Sequence, residues 1–291
     1  MTATALTRGR TTGRTTGTAH LSAAGVIRSE WIKLRSVRST IWCYGLLILL
    51  VIGVGVLISS FSDFGGRAVT GDSARSIVVS VNTAGLNISV LIVAVLGALI
   101  ITGEYSTGMI RSTFAAVPRR TGAIAAKAIV LAVSTFIATS VGIWGSALAT
   151  WPILAGKDVE VQLGEPSVFM PLLGGAVYVT MIALLAFGFG IILRSTAGTL
   201  ATVLGLLLVA PIIVQLLSSL TQGADWVTTV SALLPGSAGG KLFGYASDSV
   251  ASVGDTGGGL VLNGWGGFGV LAAWDVVVLA IAMILVKRRD A

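Results

Sequence analysis

Six stretches of this chain are long, apolar and almost free of charge: Ile41–Ile58, Leu86–Ile101, Ile124–Leu148, Leu172–Leu193, Thr199–Leu217 and Phe268–Val286. Lys127 and Asp275 are the charged residues within them. A bilayer core about 30 Å thick takes roughly 20 predominantly apolar residues per helix, so each stretch suits one crossing. The chain is 54% hydrophobic and 11% charged, which leaves too little polar surface to cover six such helices in water. Barrel strands would be about 10 residues long with alternating polarity, a pattern absent here. The sequence therefore predicts an all-α, polytopic membrane protein with six transmembrane helices.

Charge sets the expected orientation. If the amino terminus is cytoplasmic, six spans return the carboxyl terminus to the same side. Of the 19 basic residues, only Arg67, Arg75, Lys157 and Lys241 would then lie outside. Basic residues near span ends mark the cytoplasmic side, so both termini are expected there. The +7 net charge is accounted for by this topology and by attraction to anionic lipid heads, and no nucleic-acid partner is expected. Cys43 is the sole cysteine and His20 the sole histidine, which argues against a disulfide framework and a zinc site. The first apolar run starts near residue 41, so no cleaved signal peptide is expected.

Residues 1–23 form a Thr/Gly/Arg-rich basic tail that is too polar to fold alone. From residue 24 to residue 40, Ile27, Leu34, Val37 and Ile41 fall on one helical face while Arg28 and Arg35 face away. Such a helix suits the inner interface as an elbow before the first span. Residues 61–85 read as a polar outer loop without a chemical motif. The link Arg194–Gly198 is short, making spans four and five antiparallel neighbours. Pro211 is expected to kink span five. Leu233-Leu234 before Pro235 is too short to cross and would dip into the outer interface or re-enter. Gly53, Gly55, Gly174, Gly175, Gly188, Gly190 and Gly205 are candidates for close helix contacts.

The chain lacks a G-x-x-x-x-G-K-[ST] phosphate loop; Gly239-Gly240-Lys241 is followed by Leu242. No paired carboxylates or nucleophile–histidine couple stand on the expected inner side, so catalysis and a cofactor bound by this chain are not expected. The most distinctive polar segment instead runs from Gly103 to Arg120. Ile110, Phe114 and Val117 are spaced for one narrow apolar stripe, and Pro118 would stop a helix there. Arg111, Arg119 and Arg120 surround the stripe. This pattern suits a segment gripped by a cytoplasmic partner.

Five features in order carry a resemblance: the basic elbow Ser29–Arg38, Gly103-Glu-Tyr-Ser-Thr-Gly108 closing span two, Pro118-Arg-Arg120 before span three, Leu233–Gly239 before span six, and Lys287–Asp290 at the end. Together with six spans they resemble the type-2 ABC transporter permeases, especially their actinobacterial members, over residues 24–290. The resemblance implies a permease subunit of an ATP-driven exporter, paired with a second copy or paralogue. It also implies a separate cytoplasmic ATP-binding subunit holding ATP and Mg, and an exported substrate of unknown identity. By position, Glu104, Tyr105, Gly108, Ile110, Arg111, Phe114, Val117, Pro118, Arg119 and Arg120 would form the ATPase-coupling segment. Glu30, Trp31, Lys33, Leu34 and Arg35 would belong to the elbow packed beside it. Glu104 is expected to pair with Arg111 or an elbow arginine.

An aspartate within a span costs ~2.5–3.5 kcal/mol at its centre, so Asp275 should face the bundle. A structural polar contact, with Gln215 or serines of other spans, is its expected role. Lining a substrate path is the alternative for both residues. An ion-coupled carrier using Asp275 and a non-transporting scaffold or immunity protein are the rival functions, but the chain shows no internal repeat or multiple intramembrane charges for the former.

Overall fold

The computed structural model describes residues 23–63, 68–110, 112, 120–245 and 260–288. The tail expected over residues 1–23 lies outside them except for Ala23. Among the described residues the chain is helical, with a single parallel bridge, Val69 to Val159, in place of any strand. The elements are α1 (Ala23–Ser36), α2 (Arg38–Phe61), α3 (Gly71–Thr83), α4 (Leu86–Ser106), α5 (Arg120–Ala155), α6 (Pro166–Leu193), α7 (Thr196–Leu204), a π-helical turn (Gly205–Val209), α8 (Ala210–Leu220), α9 (Asp225–Leu233), α10 (Pro235–Phe243) and α11 (Gly264–Arg288). Six helical stretches are long and apolar enough to cross a membrane, and each contains one of the six apolar runs of the sequence.

The central helices are α4 and α6. The most apolar part of α6 is 67% buried within the chain, against 17% for α2 and 11% for the stretch Thr196–Leu220. Among lipid tails, apolar burial gives helices no reason to associate, so close packing of small residues must do so. Gly97 of α4 sits against the backbone of Ala183 in α6, where an added Cβ would overlap the carbonyl. Gly174 of α6 likewise meets the backbone of Leu242 in α10. By contrast Gly53 and Gly205, expected as contact glycines, have open space where a Cβ would stand. Hydroxyls supplement this packing: Tyr44 of α2 bonds Ser134 and Thr135 of α5 at 2.8 and 2.9 Å.

One expectation needs revision and two gain detail. Residues 61–85 are not simply a loop, because α3 buries Ala74, Val78 and Val81 at helical spacing. Its Asn82, 1% exposed, accepts hydrogen bonds from Ser146 and Thr150 of α5 and donates to the Val78 carbonyl. At Pro211 the helix does not simply bend. Proline lacks an N–H and its ring crowds the carbonyl four residues back, Leu207; the backbone widens there into the π-turn just before α8. The segment around Leu233-Leu234 is a pair of short helices, α9 and α10, joined at the buried Leu234. The Trp274 indole N–H of α11 donates to the Leu233 carbonyl at 3.0 Å and ties the pair to the bundle.

Candidate functional site

One end of the bundle gathers α1, the end of α4, the start of α5 and the turn between α6 and α7; this is the end rich in basic residues. Val37 adopts an extended conformation, which breaks the chain between α1 and α2 and lets α1 fold back. Glu30, on the side of α1 turned toward the bundle, is 4% exposed. Lys127, two turns into α5, donates to Glu30 Oε2 at 2.6 Å and to Glu104 Oε1 at 2.7 Å. Lys33 donates to Glu30 Oε1 at 2.7 Å and lies 3.9 Å from Glu104 Oε1. Two carboxylates and two ammonium groups thus form a neutral cluster joining three elements. Glu104 is as deeply buried as Glu30 and Lys127 nearly so, and Glu104 Oε2 has no hydrogen-bond donor among the described residues.

Burial raises the Glu30 carboxyl toward its neutral form. The charge and hydrogen bond of Lys127, joined by those of Lys33, more than offset this and hold it below its ordinary value of 4.5. A cavity of about 210 Å³ lies alongside, bounded by Lys33, Leu34, Gly103, Glu104 and Met109.

Of the two partners expected for Glu104, the elbow arginine is corrected by this geometry. Lys127, not an elbow arginine, neutralises it, because α5 begins beside the end of α4. Arg111, the other expected partner, lies outside the described residues. The elbow stripe is left outward, as a helix lying in the interface requires, and the bundle side of α1 carries a charge. Ile27, Val37 and Ile41 are exposed, Arg28 and Arg35 are exposed, and charged Glu30 faces inward. Trp31 and Leu34 are half-buried.

Of the expected coupling segment, Glu104 and Tyr105 end α4. The Arg194 guanidinium, just beyond α6, sits 5.2 Å from the Tyr105 ring centroid. Thr102 and Thr196 are linked by a 3.0 Å hydrogen bond. Gly108 adopts φ +72°, a left-handed conformation that turns the chain away from α4. Ile110, expected to bury against a partner, is instead 4% exposed and packed into this chain's own core. Phe114, Val117, Pro118 and Arg119 lie outside the described residues, as does the side chain of Arg120, whose backbone starts α5.

Asp275 and Gln215 are not brought together. Asp275 is 7% exposed on α11, which packs mainly on α6 and α10, whereas α8 packs on α9 and the π-turn. Gln215 is exposed and borders a cavity of about 550 Å³ at the opposite end of the bundle. Among the described residues, no cluster of His, Cys, Asp and Glu is arranged to hold a metal ion.

The ion cluster left a partial signal in the sequence. Lys127 stood out as a charge in an apolar run, but its partners are 97 and 23 residues away, and nothing local names them.

No curated protein matches the chain. The family model described as ABC-2 family transporter protein matches residues 26–212, from α1 through the first turn of α8. That span includes every member of the ion cluster, and the six apolar helices make the chain a multi-pass membrane protein. The chain belongs to the ABC-2 family and is a permease component of an ABC transporter.

Proposed function

We propose that this chain is the permease subunit of an ATP-driven exporter, docked through residues 104–120 on a separate cytoplasmic ATPase and paired with a second copy or paralogue. The supporting observation is the buried cluster of Glu30, Lys33, Glu104 and Lys127. It sits where the docking segment leaves α4 and re-enters α5, so a push on that segment reaches both helices and α1 together. Close contact between α4 and α6 at Gly97 and Ala183 then passes the movement to the centre of the bundle.

The chain's own residues act in this reading as anchor and transmission. Arg111, Phe114, Val117, Arg119 and Arg120 meet the ATPase in a helix-in-groove contact, while Ile110 holds the segment to the core. ATP and Mg are held by the partner, and hydrolysis shifts the spans between inward- and outward-open packing.

Co-expression with the ATPase tests this. The two proteins should purify together, and Phe114→Ala with Arg111→Glu should weaken the association about tenfold or more, as loss of a central anchor does. Transport should fall with it. Unchanged association and transport in that double variant would sink the proposal.

A further inference from the structure

The larger cavity, about 550 Å³, is walled by three helix faces and the non-helical segment 260–262. Gln215 and Ser218 are three residues apart on α8, Thr228 and Ser231 three apart on α9, and Ser237 and Lys241 four apart on α10. Each pair lies on one face of its helix, so the sequence turns polar groups from all three elements toward one space. Leu260, Val261 and Leu262 supply an apolar wall, pinned where the Leu260 N–H meets the Thr229 hydroxyl at 3.4 Å. Among the described residues Lys241, itself exposed, is the one charged group on the lining, with no carboxylate beside it. Among the described residues its ammonium makes no ion pair. The volume is within the range of small-molecule sites, roughly 300–1,000 Å³.

We infer that this cavity binds an amphipathic monoanion, its carboxylate or phosphate head on Lys241 and the hydroxyls, its hydrocarbon against residues 260–262. One cation among otherwise uncharged lining groups attracts a single negative charge and repels cations. Hydroxyl and amide groups satisfy the remaining acceptors of the head, and the apolar wall accepts a tail. This deepens the permease reading, on which only the identification of the anion as cargo rests; binding itself needs no ATPase.

The test uses the full chain in phosphatidylcholine nanodiscs, with Cys43→Ser and Ser231→Cys providing one thiol in the cavity. The maleimide labelling rate is followed against octyl phosphate, octanoate, octanol and octyltrimethylammonium. The two anions should slow labelling, with octanol and the cation ineffective at the same concentration. Lys241→Met should raise the apparent Kd for octyl phosphate about tenfold, the worth of one charge-assisted contact, and Lys241→Arg should restore it. In a parallel arm phosphatidylglycerol replaces part of the bilayer lipid; slowed labelling there, relieved by Lys241→Met, identifies the anion as a membrane lipid. Equal protection by the cation, protection insensitive to Lys241→Met, or no protection in any arm overturns the inference. None of these outcomes bears on association with the ATPase, so the two proposals fail separately.

Discussion

Lys127 bears the largest electrostatic burden in the chain. Two buried carboxylates depend on it, and substituting a neutral residue leaves them facing each other with only the more exposed Lys33 to offset them. Breaking a buried pair in this way costs about 3–5 kcal/mol. Lys127→Met should therefore lower the thermal midpoint of the detergent-solubilised chain markedly, whereas Lys287→Met, at an exposed site, should not. Equal midpoints for the two variants would show that the cluster holds little. Acid offers an independent probe through Glu30. Its carboxyl is depressed in the folded chain, so its contribution is present above the ordinary carboxylate value of 4.5 and is lost as pH falls through the lower, folded value. Protease cleavage between α1 and α2 should thus stay slow at pH 5 and quicken only on further acidification. Quickening that is complete above pH 5 would contradict this sign.

Helix contacts divide into those that tolerate an added methyl and those that do not. Gly97→Val places its side chain in the Ala183 backbone and should cost about 1–3 kcal/mol as overpacking. Gly53→Ala meets open space and should be neutral within error. Thermal unfolding of both variants checks the contrast, and equal losses would mean that α4 and α6 do not meet as described. The apolar runs were readable as spans because twenty uncharged residues leave few alternatives. Glycine partners were not readable, since contact depends on how α4 and α6 are placed and not on either helix alone. Helix α3 was missed because Ala74, Val78 and Val81 are mixed with Asp72, Ser73, Arg75 and Ser76, which made the segment read as polar loop. The π-turn carried a local signal, Pro211, whose outcome sequence alone could not choose between a bend and a widened turn.

The molecule as a whole is a buried pair, α4 and α6, flanked by α2, α11 and the stretch Thr196–Leu220, whose apolar faces are left outward. Trp42, Leu49, Ile212, Leu216, Val276 and Ile284 all lie exposed on those elements, as lipid or a second subunit requires. Class and family were legible in the order of motifs around these helices, and the family match over residues 26–212 agrees. The site was legible only in outline. Glu104 and Glu30 were named from the sequence and both stand in the ion cluster, but Ile110 turned inward because the left-handed turn at Gly108 aims the chain back at its own core. Sidedness is the requirement on which ATPase docking depends most directly. In a Cys43→Ser background, Ser112→Cys places one thiol at an exposed position of the proposed docking segment. A membrane-impermeant maleimide added to intact cells should leave it unlabelled and should label it once the membrane is opened. Labelling in intact cells would put the segment on the wrong face for an ATPase and contradict the account.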